Sequence, residues 1–347
     1  MTTIARASVE TVAATPPRVR AVQRDIAIDT MRGIAILMVI GIHSFRQPLA
    51  SWQIAADAAL RPCVPIFLFA SGYLTALSGR VALGKRMMTT LIPYAIAFVA
   101  AYVYMTLHNP AMDHRIITTV ARFVLAYVFV YYYVFVYLGC TIVLWLAFAA
   151  SDAGSEERLT LLLLLAILLG LITGSYLDPL AYRLGLSEAL TEELRMRDIP
   201  FWFCFMALGA LIGLYDVRSR LGDMRHLLLG ATLTAYVIYA AVRLSGLGDA
   251  ADYDSLAYFG HAALLCVLLL ALDGRLPFLA AIGSGSYFIY LWHIFIVMAL
   301  RDHARLDRFD PAASFALTYV VTAFGSIAAL IIIRTTAPPR LSRWLGA

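Results

Sequence analysis

Two ionisable side chains lie in the first long apolar segment of this sequence, at a spacing that fits a helix. Arg32 and His43 are eleven residues apart. Eleven steps of about 100° return a helix to within about 20° of its starting direction, and at 1.5 Å per residue they separate the side chains by roughly 16 Å. A guanidinium binds phosphate or carboxylate, and an imidazole exchanges a proton near neutral pH. The alternatives are an interfacial anchor for Arg32 and a hydrogen-bonded interior role for His43.

A second polar stripe occurs near the end of the chain. Ser286, Tyr290 and His293 stand at positions i, i+4 and i+7, so they share one face of a helix. If successive spans alternate in direction, His293 lies at nearly the depth of His43, and we expect the two imidazoles to share a cavity. The alternative is a packing stripe, because serine and glycine let helices approach and hydroxyl groups bond across them.

Further polar residues follow in the second apolar segment and just after it. Ser71 and Tyr73 place hydroxyl groups deep in that segment, and Lys85 and Arg86 come soon after it. The two cations either clamp a phosphorylated ligand or only orient the chain in the membrane. The four cysteines lie far apart in apolar runs without ligand spacing. We therefore expect neither a disulfide nor a metal site.

Three other polar features of the sequence are less specific: one has a structural interpretation, and two have both a structural and a functional one. His261 has only Tyr258 as a nearby polar residue, which predicts a hydrogen-bonded interior histidine. The tyrosine run at 131–133 fits either an interfacial aromatic belt or the flank of a sugar site. The polar stretch at 178–198 is expected to be the most polar outward loop and is a candidate for contact with an acceptor substrate, with a solvated amphipathic segment as the alternative.

The composition indicates what kind of chain must position these residues. Of 347 residues, 62% are hydrophobic and only 14% are charged, about half the charged share of a soluble protein. The net charge of +5 is no evidence for nucleic acid binding. Ten segments approach the roughly 20 apolar residues that a membrane span needs. We predict an all-α integral membrane protein with about ten transmembrane helices and no soluble domain, centred near Leu37, Phe69, Phe98, Val136, Leu168, Leu208, Val237, Leu268, Leu291 and Ala323.

The predicted organisation has three parts. Residues 1–25 form a basic cytoplasmic tail without the apolar core of a cleavable signal, residues 26–334 form the transmembrane domain, and residues 335–347 form a short cytoplasmic tail. Basic residues outnumber acidic ones on the side of the tails, so the positive-inside rule predicts that both termini are cytoplasmic. Residues 116–150 leave room for a re-entrant stretch beside the fourth span, and the fifth span is expected to be short.

Together these motifs resemble the membrane acyltransferase 3 family, multipass enzymes that O-acylate bacterial surface glycans. Three elements in this order carry the resemblance: Asp29, Arg32, Gly33 and His43; then Phe67, Ser71, Gly72, Tyr73 and Leu74; then Ser286, Tyr287, Tyr290, Leu291 and His293. Residues 87–90 depart from it, because Met-Met-Thr-Thr stands where members often carry a further arginine. Some members also have an extracytoplasmic hydrolase-like domain. This chain ends soon after its last span, so it is expected either to complete the transfer or to pass the acyl group to a separate extracytoplasmic transferase.

The resemblance implies an O-acyltransferase of the bacterial cytoplasmic (inner) membrane. It would move an acyl group, most simply acetyl from cytoplasmic acetyl-CoA, to a hydroxyl of an extracytoplasmic or lipid-linked glycan such as exopolysaccharide or O-antigen. Its partners would be acyl-CoA, the glycan and membrane lipid, without metal or nucleic acid. The implied catalytic residues are His43, Arg32 and His293, those for the CoA phosphates are Arg32, Lys85 and Arg86, and those that orient substrate or stabilise an oxyanion are Ser71, Tyr73, Ser286 and Tyr290.

Two other classes of protein explain the same buried polar residues. In a secondary transporter, Arg32, His43 and His293 would form a substrate or proton relay. In a structural membrane subunit, they would only hold helices together. The ordered motifs favour the acyltransferase.

Overall fold

The protein is built from apolar helices that cross the molecule repeatedly. A computed structural model describes residues 24–109, 111–128, 130–151, 155–246 and 255–347. These residues form α-helices and one short 3-10 turn, with no strand among the described ranges. Most of the predicted N-terminal tail lies outside the described residues. The all-helical membrane fold expected from the composition is confirmed.

Sixteen α-helices follow one another along the described chain. They are α1 (Ile26–Ser44), α2 (Ser51–Leu60), α3 (Cys63–Ser78), α4 (Leu83–His108), α5 (Ile116–Val124), α6 (Tyr132–Ala150), α7 (Glu156–Arg183), α8 (Glu188–Met196), α9 (Ile199–Leu214), α10 (Arg218–Asp223), α11 (Arg225–Ser245), α12 (Leu256–Ala271), α13 (Pro277–Ser284), α14 (Ser286–His303), α15 (Pro311–Thr336) and α16 (Pro339–Leu345).

The ten predicted span centres all fall within these helices. Eight described segments are long and apolar enough to cross a membrane, with α2–α3 and α8–α9 each counted as one. The pair α13 and α14 also qualifies, but the two helices meet at an angle of 77°. The remaining centre, Leu268, lies in α12, which is apolar but only 16 residues long. At 1.5 Å per residue, this helix is shorter than the ~30 Å of a bilayer core.

Two details of the sequence prediction are wrong. The fifth span is not short, because α7 has 28 residues and is the longest helix described. The polar stretch at 178–198 is not a loop, since its first residues end α7 and most of the rest form α8. Its charged side chains bond within the stretch and to neighbouring backbone: Arg195 pairs with Asp178, and Arg197 pairs with Glu193.

The buried centre of the bundle is formed by α1, α3 and α9, and glycines permit their close packing. A Cβ atom on Gly72 of α3 would lie 1.9 Å from the carbonyl oxygen of Met206 in α9. A Cβ atom on Gly33 of α1 would lie 2.1 Å from the carbonyl oxygen of Leu279 in α13. Only glycine allows backbones to approach this closely. These two glycines belong to the first two sequence motifs. They therefore let the helices that carry Arg32 and Ser71 pack closely against α13 and α9.

Ion pairs join helix ends that the ten-span prediction assigns to one side of the membrane. Arg218, after α9, donates to Asp25 at the start of α1 over 2.5 Å and also pairs with Asp273 after α12. Burial alone would raise the pKa of Asp25, but the Arg218 guanidinium and two backbone N–H groups bring its pKa below the ordinary value. These contacts fit the predicted alternation of the spans.

The opposite end of α1 is held by the end of α14. The guanidinium of Arg301 donates to the carbonyl oxygens of His43 and Phe45 over 2.8 and 3.0 Å. These carbonyls lie at the C-terminal end of α1, where backbone acceptors lack helical partners. Arg301 thereby fixes His43 relative to α14.

The chain ends in a packed helix and not in an extended tail. Helix α16 contacts α4, and the indole N–H of Trp292 in α14 donates to the Leu345 carbonyl oxygen over 3.2 Å. The last helix therefore packs against α4 and α14, two helices that form the site described next.

Candidate active site

Two histidines from helices far apart in the sequence meet inside the bundle. The ring centroids of His43 in α1 and His293 in α14 are 5.4 Å apart. The sequence analysis expected the two imidazoles to share a cavity; the structure brings the rings together, but neither of them lines the cavity described below. Because α1 and α14 also contact each other directly, the pair rests on a fixed helix–helix contact.

The tautomer of His293 is set by its own helix. Its Nδ1 atom lies 3.0 Å from the Ile289 carbonyl oxygen and 2.9 Å from the Tyr290 carbonyl oxygen. A carbonyl oxygen only accepts hydrogen bonds, so Nδ1 must carry the hydrogen. The Nε2 atom then keeps a lone pair, and it is buried without a hydrogen-bond partner among the described residues. His293 therefore presents an unpaired acceptor nitrogen to the interior.

A cavity of about 320 Å³ lies between the histidine pair and the N-terminal part of α1. It is enclosed by α1, α3, α4, α6 and α14. Five of the site residues predicted from the sequence line it: Arg32, Ser71, Arg86, Ser286 and Tyr290. The remaining lining residues are Phe67, Ala70, Leu74, Thr89, Thr90, Tyr133, Val134, Tyr137 and Tyr287.

Both cations in the cavity wall keep charge available for a ligand. Arg86 donates to the hydroxyls of Thr75 over 2.6 Å and Ser71 over 3.5 Å, and neither group neutralises it. Arg32 lies 3.9 Å from the Asp29 carboxylate, which receives a much shorter bond of 2.7 Å from Arg24. Arg86 forms no ion pair among the described residues, and Arg32 shares its carboxylate partner with Arg24; two such guanidinium groups are able to hold an anion such as phosphate.

Tyrosine rings separate the cavity from the histidine pair. The Tyr290 ring lies 5.4 Å from that of Tyr133 and 6.4 Å from that of His293. Its hydroxyl donates to the Val130 carbonyl oxygen, so its hydrogen is already engaged. By contrast, Ser286 lines the cavity, and its hydroxyl has no hydrogen-bond partner in the part of the chain that is described. Of the two hydroxyls predicted here, Ser286 is the one with a free donor.

Two residues named from the sequence lie away from the cavity. Tyr73 points to the other side of α3, where its hydroxyl interacts with Arg218. It follows Ser71 by two residues, a turn of about 200° around the helix. Lys85 is exposed and does not line the cavity, whereas the next residue, Arg86, reaches inside.

Other residues of the cavity were missed or misassigned from the sequence. Thr89 and Thr90 line the cavity but were not predicted. They follow Arg86 by three and four residues, so helical spacing alone could have placed them on the same face as Arg86. Of the two interpretations of the tyrosine run, the interfacial belt does not fit, because Tyr131 is fully buried and donates to the Leu291 carbonyl oxygen over 2.8 Å, whereas Tyr133 lines the cavity. The prediction of a hydrogen-bonded His261 is also wrong, because both of its ring nitrogens are buried without a partner among the described residues.

Comparison with known proteins gives the context of this geometry. Residues 25–334, nearly the whole chain, match a family model described as an acyltransferase domain. No curated protein and no solved structure shows significant similarity. The matched range contains both histidines, both cavity arginines and every helix that positions them. The chain therefore belongs to the acyltransferase 3 family and is a multipass membrane acyltransferase.

Proposed function

We propose that this enzyme takes an acetyl group from cytoplasmic acetyl-CoA and transfers it to a hydroxyl of an extracytoplasmic or lipid-linked glycan at the bacterial inner membrane. The observation that carries the proposal is the contact between His43 and His293 beside a cavity that has Arg32 and Arg86 in its wall, with the Tyr290 ring between the cavity and the histidines. Cation, buried base and free hydroxyl are the groups that acyl transfer from a phosphorylated thioester requires.

The donor is bound at the end of the cavity near Arg32. Arg32 and Arg86 hold the CoA phosphates through charge-assisted hydrogen bonds, and the exposed amine of Lys85 adds positive charge outside the cavity. From Arg32, the rise of α1 to His43 is roughly 16 Å. The narrow arm of the donor follows this face past the ring of Tyr290, so that its thioester carbonyl reaches the histidines.

The histidine pair supplies the proton acceptor. As the acceptor hydroxyl attacks the thioester carbon, its proton passes to His43, and the new C–O bond forms. The Nε2 atom of His293 accepts a hydrogen bond from a neighbouring hydroxyl of the acceptor sugar and so orients the attacking group. Ser286 stands seven residues before His293, about 10 Å along the helix, so its hydroxyl donates to the donor arm. When the C–S bond breaks, the leaving thiolate takes the proton from His43, so the enzyme returns to its starting state.

Transfer of radiolabel tests this proposal. Membranes that contain the wild-type protein, given labelled acetyl-CoA, are expected to label envelope glycan. His43→Gln and His293→Gln are each expected to lower the rate by about 10²-fold or more, the usual contribution of a general base. His261→Phe is the matched control, because His261 is also buried in a span but lies outside the site, and it should retain the wild-type rate.

The outcomes separate the remaining alternatives. Equal loss in all three variants would indicate misfolding and not chemistry, and expression with thermal stability is therefore measured alongside. Labelling that survives both site variants would contradict the assignment of the histidines. Substrate flux in vesicles without any acylated product would favour the transporter. Competition by unlabelled succinyl-CoA as strong as that by acetyl-CoA would overturn the choice of acetyl.

A further inference from the structure

A second cavity lies at the other end of α1, and the acyltransferase chemistry described above does not use it. Its volume is about 290 Å³, near the lower end of the range for small-molecule sites. It is formed by the segment that follows α1 and by the start of α15. The first cavity contacts Arg32 and this one contacts Arg46, so His43 stands between them in the chain.

The charge of the second cavity comes from one residue. Of its nine lining residues, Arg46 is the only ionisable one. Its side chain is exposed, and it makes no ion pair within the described ranges. An unpaired guanidinium in a wall without carboxylates recognises a carboxylate or another anionic oxygen.

Gln53 adds donors at a fixed orientation. The residue is only 3% exposed, and its Oε1 atom accepts the backbone N–H of Ala50 over 2.8 Å. Because an N–H group can only donate, the amide cannot be turned the other way. The NH₂ group of Gln53 is thereby left for the cavity, where it offers hydrogen to a ligand oxygen.

Ser314 adds a hydroxyl that the protein does not satisfy. The residue lines the cavity and is 3% exposed. Its Oγ atom is buried without a hydrogen-bond partner among the described residues. Buried polar groups are nearly always paired, so a ligand oxygen that reached Ser314 would complete this bond.

Aromatic rings complete the wall and connect it to the histidine pair. Phe309 is 51% exposed and offers an apolar face. Phe315 stacks on Phe45 with 4.4 Å between ring centroids, and Phe45 follows His43 by two residues. A ligand in the second cavity would therefore lie on the side of the histidines opposite to the acyl donor.

We propose that the second cavity binds a carboxylated sugar unit of the acceptor glycan. Arg46 takes the carboxylate, Gln53 and Ser314 take hydroxyl oxygens, and Phe309 covers the apolar C–H face of the ring. A wall rich in donors suits this ligand, because carboxylate and hydroxyl oxygens are acceptors. The inference rests on the proposed function and deepens it, since it identifies the acceptor as an acidic glycan.

Binding to the purified full-length protein tests this proposal without any acyl donor. Titration calorimetry in detergent compares D-glucuronate, its neutral analogue D-glucose, and methyl β-D-glucuronide as a glycosidically linked unit. The wild-type protein is expected to bind both glucuronate compounds about tenfold or more tightly than glucose, as a charge-assisted hydrogen bond provides. Arg46→Gln should abolish this preference. Ser314→Ala should weaken binding several-fold without lowering the unfolding temperature, because its hydroxyl has no partner to lose.

Arg308→Gln is the matched control, because this exposed arginine lies beside Phe309 but does not line the cavity. It should leave all three affinities unchanged. Absence of binding, equal binding of glucose and glucuronate, or a preference that survives Arg46→Gln would overturn the proposal. Binding of the free acid without the methyl glucuronide would overturn the assignment to a glycan. Because the assay contains no acetyl-CoA, failure of labelled transfer beside intact glucuronate binding would refute only the proposed function.

Discussion

The imidazole of His293 owes its chemical character to the backbone of its own helix. Two carbonyl oxygens at 3.0 and 2.9 Å hold the hydrogen on Nδ1, and the opposite nitrogen faces the interior without a partner in the described structure. His43, by contrast, is held through its backbone carbonyl by Arg301. The tautomer of His293 is therefore fixed by its helix, and the position of His43 is fixed by Arg301. This arrangement suits His293 as the orienting histidine and His43 as the proton acceptor.

The two neighbouring cations after the second span are expected to differ in their effect on the donor. Arg86 lines the cavity and bonds only to neutral hydroxyls there, whereas Lys85 is exposed outside it. Arg86→Gln should raise the KM for acetyl-CoA about tenfold or more, because it removes a charge-assisted contact to phosphate. Lys85→Gln should change KM much less. Steady-state kinetics with varied acetyl-CoA measure both, and equal effects would contradict the placement of phosphate beside Arg86.

Residue-level prediction succeeded where helical periodicity alone decides direction. Ser286, Tyr290 and His293 belong to one helix, α14, so their spacing was sufficient to place them together. It failed for Tyr73, because α3 is buried on nearly all sides and its apolar pattern does not distinguish one face from another. It also failed for His261, since nothing in a sequence shows that a buried histidine lacks a partner.

At the scale of elements, the close contact of α1 with α13 decides where the site can form. Helix α13 packs along α1 through Gly33 and Gly283, and the chain then turns by 77° into α14. This bend carries Ser286, the first residue of α14, directly to the cavity. The position of the second histidine thus depends on a glycine contact far from it along the helix.

Gly33→Ala is expected to destabilise the protein. An added Cβ atom would lie 2.1 Å from the backbone oxygen of Leu279, so two helices would have to separate, at a cost of about 1–3 kcal/mol. Gly84→Ala is the control, because its Cβ atom would meet nothing within 4 Å and alanine favours a helix. Thermal unfolding in detergent should show a lower midpoint for the first variant and an equal or higher midpoint for the second. Matching midpoints would show that α1 and α13 do not pack this tightly.

The elements were predictable where length and hydropathy define them. All ten span centres lie in helices, because a bilayer leaves the backbone no other way to satisfy its hydrogen bonds. The bend at Gly285 was missed, since the apolar character continues across it. The amphipathic helix α5 and the length of α7 were missed as well, because the ends of these helices depend on contacts with neighbouring helices and not on local composition.

For the whole molecule, the two ends of α1 define two faces. At one end, Arg218 pairs with Asp25 and Asp273 and so joins the start of α1 to the segments that follow α9 and α12. At the other end, Arg301 holds the last turn of α1. The first cavity contacts Arg32 in the N-terminal half of α1, and the second contacts Arg46 just beyond its C-terminal end, a separation that fits the proposed transfer between compartments.

Cysteine labelling is expected to show which face is cytoplasmic. The four native cysteines are buried, so an impermeant maleimide should leave the wild-type protein in intact spheroplasts nearly unlabelled. Arg308→Cys introduces a thiol at the face of the second cavity, and Arg80→Cys introduces one at the opposite face. The positive-inside rule predicts labelling of the first in intact spheroplasts and of the second only after permeabilisation. The reverse pattern would contradict the proposed orientation and place the donor cavity outside.

The contact between His43 and His293 also constrains how the protein is made. Its two halves are synthesised 250 residues apart, so α1 enters the membrane long before α14 leaves the ribosome. Until then, His43 lacks the helix that carries its partner ring, and an ionisable group exposed to lipid is costly. A chain that stops before α14 would leave His43 without this cover. A chain that lacks α14 is therefore expected to be less stable in the membrane than the complete chain.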